Sequence, residues 1–248
     1  MESLLECAAS GSTQCSSGKE AGVICLSTVK NVTRIVNGSS PDEGLMEVLV
    51  NDQWRSVCNY GWSKYDADVA CKSLGYIGGI PFSLPILREG REDTWFLANL
   101  NCNGNEDSLL ECWSTFTTCK NGEQAGAVCY REENDVTRIV NGSSPNEGVV
   151  EVLINDQWRS VCNNRWDKRK TDPTCKILGY SGGFPVSSTL FVEDKEEMWM
   201  LDVSYCSGNV KSSLKCSLSL IRSSSCHGGK AGVVCYHAEN GTFEKNFK

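Results

Sequence analysis

The stretch that decides the fold reads Asn51-Asp52-Gln53-Trp54-Arg55-Ser56-Val57-Cys58-Asn59, and it recurs unchanged as residues 155–163. A second stretch, residues 32–41, recurs unchanged as residues 136–145. A closing motif of alanine, glycine and two further apolar residues ends at Cys25, Cys129 and Cys235, so the copies are 104 and 106 residues apart. This period is far above the roughly 20–50 residues of solenoid repeats, and each copy is therefore predicted to be a domain with its own core.

The 15 cysteines follow the same repeat. The two complete sets are Cys58, Cys71, Cys102, Cys112, Cys119, Cys129 and Cys162, Cys175, Cys206, Cys216, Cys226, Cys235. An even number of widely spaced cysteines per copy predicts disulfides, which persist only in oxidising compartments. Structural zinc is excluded because no two cysteines have the short spacing of a zinc-binding pair.

The repeats divide the chain into two complete domains, at residues 32–129 and 136–235. Residues 1–25 match only the C-terminal part of a third domain, and residues 236–248 form a tail or linker. The connectors are about six residues long, which limits each to about 20 Å when extended, so we expect domains arranged like beads with limited freedom.

The chain contains no signal-type apolar run in residues 1–20 and no apolar stretch long enough to span a membrane. We therefore expect a fragment of a longer multidomain protein that is secreted or membrane-anchored.

Hydrophobic periodicity predicts an α+β fold. Residues 44–50 and 53–57 are predicted to be two strands joined by a tight turn at Asn51-Asp52, and residues 148–161 repeat them. A helix is predicted through Ala67 and Leu74, with Gly75 as its stop. In the second copy Asp172-Pro173 predicts a cap and a first-turn proline for the matching helix. The remaining short apolar runs favour a small curved antiparallel sheet around one main helix in each domain.

Six tryptophans are predicted to be core or half-buried residues rather than a ligand cage. They are Trp54, Trp62, Trp95, Trp158, Trp166 and Trp199.

These motifs resemble the scavenger receptor cysteine-rich domain family, in its six-cysteine subgroup. The resemblance is carried by the Arg-Ile-Val-Asn-Gly opening, the Gln-Trp-Arg-Ser-Val-Cys strand, the Cys-Lys-x-Leu-Gly-Tyr helix end, the Cys-x-Gly-Asn element and the Ala-Gly-x-Val-Cys close. It covers almost the whole chain except residues 236–248.

Spacing alone leaves 15 disulfide connectivities open in each domain. The resemblance implies one of them: Cys58–Cys119, Cys71–Cys129 and Cys102–Cys112, and in the second domain Cys162–Cys226, Cys175–Cys235 and Cys206–Cys216. By the same mapping Cys7, Cys15 and Cys25 have no partners in this chain.

Four Asn-x-Ser/Thr sequons, at Asn31, Asn37, Asn141 and Asn240, are candidate glycosylation sites and agree with an extracellular location. Asn37 and Asn141 occupy the same opening segment of their repeats, which makes them the favoured acceptors.

The sequence lacks the residues that the enzymatic interpretations of its motifs require. Arg34-Ile35-Val36-Asn37-Gly38 looks like the activation site of a trypsin-type protease, but such an enzyme needs a histidine, an aspartate and a serine nucleophile downstream. The only histidines are His227 and His237, near the C-terminus, which also excludes a histidine-ligated copper centre. We therefore predict that the chain is not an enzyme.

Family members often hold calcium with an acidic pair after the first cysteine and a glutamate in the Cys-x-Gly-Asn-Glu element. Here Asn59-Tyr60 replaces the pair and Glu106 is retained, so Asn59 and Glu106 are the calcium candidates. The second domain has Asn163-Asn164 and Val210 at these positions. Calcium needs six or more oxygen ligands with charge among them, so we expect solvated loops and no cofactor.

The charge differs between the two domains. Residues 32–129 carry 7 basic and 13 acidic residues, a net charge of −6, whereas residues 136–235 carry 12 and 10, a net charge of +2. The basic candidates for ligand binding are Arg165, Lys168, Arg169, Lys170, Lys211 and Lys215. Such a cluster attracts polyanions, and the resemblance implies binding of polyanionic surfaces, whereas the alternative is a solvated loop. Specific nucleic-acid binding is not expected of an acidic extracellular chain with a pI of about 5.0.

Three function classes follow. The first is a scavenger or pattern-recognition ectodomain of the innate-immunity type, which captures polyanions through repeated weak contacts. The second is a protein–protein adhesion or signalling ectodomain that binds through an exposed apolar patch. The third is a set of accessory domains in a larger extracellular enzyme. High salt should abolish only the first kind of binding.

Overall fold

The computed structural model describes residues 32–86, 96–119, 122–131, 136–187, 191, 199–206 and 212–238. The predicted partial domain at residues 1–25, with Cys7, Cys15 and Cys25, lies outside the described residues, as do residues 239–248 of the tail.

The first domain is an antiparallel sheet of five strands with one helix and a separate two-stranded sheet. Its elements are β1 (Thr33–Val36), β2 (Glu43–Val50), β3 (Gln53–Ser56), α1 (Lys64–Ser73), β4 (Gly78–Pro85), β5 (Phe96–Asn101), β6 (Trp113–Thr117) and β7 (Glu123–Tyr130). The order in the large sheet is β1-β2-β7-β4, with β3 also paired to β2, while β5 pairs with β6.

The second domain repeats this topology. Its elements are β8 (Thr137–Val140), β9 (Glu147–Ile154), β10 (Gln157–Ser160), α2 (Lys168–Ile177), β11 (Gly182–Ser187), β12 (Trp199–Tyr205), β13 (Ser217–Arg222) and β14 (Ala231–Tyr236). The α+β prediction, with a sheet and one main helix per domain, is confirmed.

The repeated hairpin forms because its turn residues accept left-handed backbone conformations. Asn51 and Asp52 have φ of 49° and 57°, and Asn155 and Asp156 have φ of 48° and 61°. Two successive residues of this kind make the tight turn that matches the twist of the flanking strands. Alternate residues of β2 are buried, which places one face of the hairpin on the core.

Helix α1 begins at the cap Ser63, whose hydroxyl and backbone N–H both donate to the Asp66 carboxylate. Its predicted apolar stripe is buried at Ala67 and Ala70, and Gly75 follows the helix at φ 86°. The capping carboxylate therefore lies inside the fold, where it also accepts the backbone N–H of Cys102 at 3.0 Å.

The predicted start of α2 at Asp172-Pro173 was wrong. The cap is Asp167, whose carboxylate accepts the Arg169 N–H, and Pro173 lies inside the helix. Asp172 has another role, because it accepts the Gly183 N–H at 3.0 Å and pairs with Lys168. The repeat register, which aligns Asp167 with Ser63, was a better guide to the cap than the local Asp-Pro pair.

Six disulfides close within the two domains, and they are the same six pairs that the resemblance implied. Two of them, Cys71–Cys129 and Cys175–Cys235, join each helix to the closing strand of its sheet. All four of these cysteines are fully buried, so the bridge is also part of the core packing.

The two domains pack against each other, which the expectation of beads with limited freedom did not include. Ile80, Val128 and Tyr130 of the first domain belong to the same buried cluster as the core of the second. Specific contacts accompany this packing: Phe82 with Trp199 at 5.7 Å between ring centroids, Glu43 with Arg159 at 3.5 Å, and Asn155 Nδ2 donating to the Cys129 carbonyl at 2.9 Å.

Removal of the helix–strand disulfide should cost more stability than removal of the short one. Replacing Cys71 and Cys129 by alanine releases a constraint across 58 residues, and replacing Cys102 and Cys112 releases one across 10. Loop-closure entropy gives losses of about 4 and about 3 kcal/mol in the free energy of unfolding. Urea titrations of the two double variants measure the difference, and a larger loss for the Cys102/Cys112 variant would contradict the ranking.

Candidate ligand-binding face

In each domain one face brings together the loop after the first cysteine, the first turn of the helix and the residues that flank the short disulfide. We call it the short-disulfide face. In the first domain it consists of Tyr60, Gly61, Tyr65, Asn101, Glu106, Glu111 and Trp113. In the second domain it consists of Asn164, Arg165, Arg169, Tyr205, Lys215 and Ser217.

The first-domain face is held together by the segment from Asn99 to Gly104. The Asn99 N–H donates to the Tyr60 carbonyl at 3.1 Å, and Asn101 pairs with Trp113 between β5 and β6. Tyr65 lies against Gly104, since its Cδ1 is 3.2 Å from where a β-carbon at that glycine would be. The Cys102–Cys112 disulfide then joins the two ends of the segment that carries Glu106.

Three aromatic side chains are strongly exposed on this face. The exposed fractions are 65% for Tyr60, 60% for Tyr65 and 67% for Trp113. All three border the segment from Asn99 to Gly104. Aromatic side chains that combine an apolar body with a polar edge are enriched in binding surfaces.

Glu106 is tied into its own loop. Its carboxylate accepts the backbone N–H groups of Asn103, Gly104 and Asn105 at 2.8–3.1 Å. These bonds, that of Asn103 foremost, lower the pKa of Glu106, so the side chain stays ionised in mild acid.

The two calcium candidates of the first domain, Asn59 and Glu106, do not fit a calcium ion in the described part of that domain. Both Glu106 oxygens already accept N–H groups, and Asn59 donates its amide to Glu123 at 2.9 Å. Cys102, Glu106 and Cys112 do bring three potential ligand atoms within 4.8 Å of one another, but both sulfurs belong to the disulfide and offer no thiolate. The Val210 position lies outside the described residues.

The second-domain face is basic. Arg165 and Arg169 are exposed, Lys215 is exposed beside Cys216, and Tyr205 is 68% exposed beside Cys206. The Cys206–Cys216 disulfide holds the segments of Tyr205 and Lys215 together. The corresponding first-domain residues are Gly61, Tyr65 and Glu111, so the basic groups replace neutral or acidic ones on a shared scaffold.

The five predicted basic residues that the structure describes do not form one cluster. Arg169 is 88% exposed at its side chain and pairs with Asp167 at 2.6 Å, and this pair raises the pKa of the guanidinium. Lys168 points away from the face, because it pairs with Asp172 and donates to Tyr236 at 3.3 Å. Lys211 lies outside the described residues.

Lys170 is buried, which its place in a basic run did not predict. It is 7% exposed and donates to the Asn164 carbonyl at 3.1 Å. Burial lowers the pKa of Lys170 and raises the pKa of nearby Asp202, and in each case the opposite charge of the other residue reduces the shift. In the first domain Asp66 and Ala98 take these two positions, so a single buried carboxylate is replaced by a lysine and an aspartate of opposite charge.

The tryptophans, the protease-like motif and two of the sequons that the sequence pointed to can be located in the described residues. Among the described tryptophans, Trp166 is buried and Trp54, Trp62, Trp158 and Trp199 are half-buried, as predicted, while Trp95 lies outside the described residues. Arg34-Ile35-Val36 forms β1, and Arg34 pairs with Glu47, so the protease-like motif is a strand. Asn37 and Asn141 are exposed and stay predicted glycosylation sites; Asn31 and Asn240 lie outside the described residues.

The sequence analysis missed the three exposed aromatics and Tyr205. A signal was available, since positions 60, 65 and 113 differ from 164, 169 and 217 while the neighbouring core residues repeat. A position that changes chemistry between two copies of one fold is more typical of a surface that recognises something than of a core.

Comparisons with known proteins agree with the resemblance. The family model for the scavenger receptor cysteine-rich domain matches residues 36–130 and 140–236. A "Scavenger receptor cysteine-rich domain superfamily protein" of Patiria pectinifera is 32% identical over 234 residues, which are 90% of this chain and 19% of that protein. The chain thus spans about a fifth of the length of this relative.

Two solved structures are also similar to single domains of the chain. The third SRCR domain of murine neurotrypsin is 34% identical, with a TM-score of 0.35, and the match covers 40% of this chain and 97% of that one. The SRCR domain of mouse MARCO in its dimeric form is 35% identical, with a TM-score of 0.31, over 39% and 92%.

Within the described residues, no helix has the length and apolar character needed to cross a membrane.

Reversing the buried charge should destabilise the second domain, whereas reversing an exposed charge on the same helix should not. Lys170→Asp places a carboxylate next to Asp202 and should lower the free energy of unfolding by about 2–4 kcal/mol, but Arg169→Glu by less than about 0.5 kcal/mol. Adding Asp202→Ala to Lys170→Asp recreates the Asp66/Ala98 pair of the first domain and should recover part of the loss, because Asp167, which stands where the first domain has Ser63, still repels the new carboxylate. Urea denaturation at neutral pH measures all three, and equal losses for Lys170→Asp and Arg169→Glu would refute the burial argument.

Proposed function

Because this chain belongs to the scavenger receptor cysteine-rich domain family, we propose that it is an extracellular ligand-binding segment of a longer secreted or membrane-anchored receptor, and that its second domain captures polyanionic ligands. Domains of this family are non-catalytic receptor modules, and a domain closed by three disulfides is typical of extracellular proteins.

The observation that carries the proposal is the exposed basic group on the second short-disulfide face. Arg165, Arg169, Tyr205 and Lys215 are all exposed, and they occupy the positions at which the first domain has Gly61, Tyr65, Asn101 and Glu111. Arginine side chains bind sulfate, phosphate and carboxylate groups through paired N–H donors. Charges spread over a rigid face suit a repetitive polymer better than a single small anion, because each contact is weak and the contacts add along the chain.

The two domains should not contribute equally. The first domain has a net charge of −6 over residues 32–129, and its equivalent face carries Glu106 and Glu111. Repulsion then works against polyanion binding on that side. Avidity would come from further basic copies in the longer protein.

Charge reversal on the face should weaken polyanion binding more than the same reversal at the other end of the helix. Arg169→Glu and Lys176→Glu both change the net charge by −2, but only Arg169 lies on the short-disulfide face, while Lys176 is exposed in the last helical turn. We expect Arg169→Glu to weaken binding of dextran sulfate at least about fivefold and Lys176→Glu less than about twofold, since one surface cation near a polyanion is worth about 1 kcal/mol.

Surface plasmon resonance with neutral dextran as the control ligand tests this difference. Raising the salt from about 0.15 M to about 0.5 M should abolish wild-type binding, because the ion pairs are exposed and are screened. Equal effects of the two substitutions would show that net charge alone drives binding and that the face has no part in it.

A second candidate function is recognition of a protein through the first domain. Tyr60, Tyr65 and Trp113 provide the exposed apolar patch that an adhesion or signalling ectodomain needs. Such a contact depends on burial of aromatic surface and should therefore depend little on salt.

Exchange of the patch separates the two functions. Tyr60→Asn, Tyr65→Arg and Trp113→Ser introduce the residues of the second domain at the same positions, so the fold should tolerate them. We expect the triple variant to bind dextran sulfate at least as well as wild type. Protein capture is measured with immobilised chain at about 0.5 M salt, where charge contacts are screened. Under these conditions the triple variant should lose any extracellular protein that the wild-type chain retains. If the variant retains the same proteins, the aromatic patch is not a binding surface.

A further inference from the structure

The surface of the first domain that packs on the second has a counterpart on the second domain. We call these the closing faces: Lys64, Ile80 and Val128 in the first domain correspond to Lys168, Phe184 and Val234 in the second. Each closing face combines the first residue of the helix with the last strand pair of its sheet, β4 with β7 or β11 with β14. It is distinct from the short-disulfide face.

The two closing faces have the same internal contacts. Lys64 pairs with Asp68 at 2.5 Å and donates to Tyr130 at 3.2 Å, while Lys168 pairs with Asp172 at 2.7 Å and donates to Tyr236 at 3.3 Å. The equivalent glycine N–H, of Gly79 or Gly183, donates to the aspartate in both domains. The two surfaces are therefore built alike.

Their exposure is different. Ile80 is 1% exposed and its counterpart Phe184 is 41% exposed. The lysine side chain is 11% exposed in the first domain and 50% in the second. Burial accordingly lowers the pKa of Lys64, whereas the bond to Asp172 raises the pKa of Lys168. The difference comes from the second domain, which covers the first closing face.

The covering surface has a defined chemistry. It consists of Asn155 in the hairpin turn, Arg159 in β10, and Trp199 with strand β13. Arg159 pairs with Glu43 of the first domain, and Glu147 is the corresponding acid of the second. The hairpin that supplies the asparagine and the arginine is the stretch repeated unchanged in both domains, so other copies of this domain can present the same groups.

The geometry points to the closing face of the second domain as a docking site for another domain of the same type, which would cover Phe184 and Val234 with its own hairpin asparagine, strand arginine and tryptophan. The contact extends an interface that the chain already makes once. One hydrogen bond differs between the existing contact and the proposed one. The Cys129 carbonyl accepts Asn155 from the neighbouring domain, whereas the Cys235 carbonyl already accepts Asn146 of its own domain. The apolar residues and the Glu147 carboxylate therefore carry the contact.

Self-association of the full chain can be used to test this docking. Wild type exposes the closing face of its second domain. The covering surface of that domain is occupied by its own first domain, so among the described residues of wild type the first-domain copy of the hairpin, with Asn51 and Arg55, is left to dock on another chain. Ile80→Ser should weaken that internal contact and free the covering surface for the Phe184 face of a second copy. We expect the Ile80→Ser chain to self-associate at least about tenfold more tightly than wild type in sedimentation velocity runs.

Two double variants identify the surface involved. Ile80→Ser with Phe184→Ser should return the chain to wild-type behaviour, whereas Ile80→Ser with Tyr205→Asn should still associate. Tyr205 is the matched control because it is 68% exposed in the same domain but lies on the short-disulfide face, where Asn101 is its counterpart. Undiminished association of the Phe184 double variant, or loss of association in the Tyr205 double variant, would overturn the proposal.

Small-angle scattering reports whether Ile80→Ser separates the two domains. If the domains stay together, the double substitution Ile80→Asp with Phe82→Asp should separate them, because a closed interface would bury two carboxylates. The Phe184→Ser and Tyr205→Asn substitutions are then compared in that background. Separated domains that stay monomeric at about 0.1 mM would also overturn the proposal. None of these outcomes depends on dextran sulfate binding, so failure here and failure of the proposed function are distinguishable.

Discussion

The bond between each helix and the closing strand of its sheet is the constraint on which the rest of the structure depends. Cys71–Cys129 and Cys175–Cys235 lie at zero exposure, and each bridges about 60 residues of chain. The helix is drawn so close that a β-carbon at Gly79 would lie 2.5 Å from the Cys71 sulfur, and one at Gly183 would lie 2.3 Å from the Cys175 sulfur. The buried disulfide therefore requires glycine at these two positions.

A scaffold held this firmly allows its surface chemistry to vary. The short-disulfide face is built from equivalent elements in both domains, yet it presents Tyr60, Tyr65 and Trp113 in one and Arg165 and Arg169 in the other. The change reaches one layer below the surface, where Asp66 is replaced by Lys170. In the first domain the buried carboxylate caps the helix and holds Cys102, whereas in the second domain the lysine is balanced by Asp202 and by a backbone carbonyl. The different chemistry of the two faces thus involves both the exposed residues and the buried residue beneath them.

The contact between the domains shows how burial changes identical chemistry. The same lysine, aspartate and tyrosine occur on both closing faces with bonds of nearly equal length, but one lysine is covered and the other is half-exposed. A covered ammonium loses water, which accounts for the opposite directions of the two lysine pKa shifts. The linker alone would have left the domains loosely connected, and it is the apolar surface of Ile80, Phe82 and Trp199 that brings them together.

The sequence by itself determined the repeat, the disulfide-rich character, the hairpin turns and the α+β class, because these follow from cysteine spacing, from left-handed turn residues and from local periodicity. It also located the helix stripe at Ala67 and Ala70, but it misplaced the start of α2, since Asp172-Pro173 satisfies a local rule that Asp167 satisfies better in the fold. Only the tertiary structure decided that Lys170 is buried while Arg169 is exposed, that Lys168 faces away from the short-disulfide face, and that three distant aromatics border one segment. The physical reason is that exposure and partnership depend on which parts of the chain pack together, and residues adjacent in a basic run point to opposite sides of a helix.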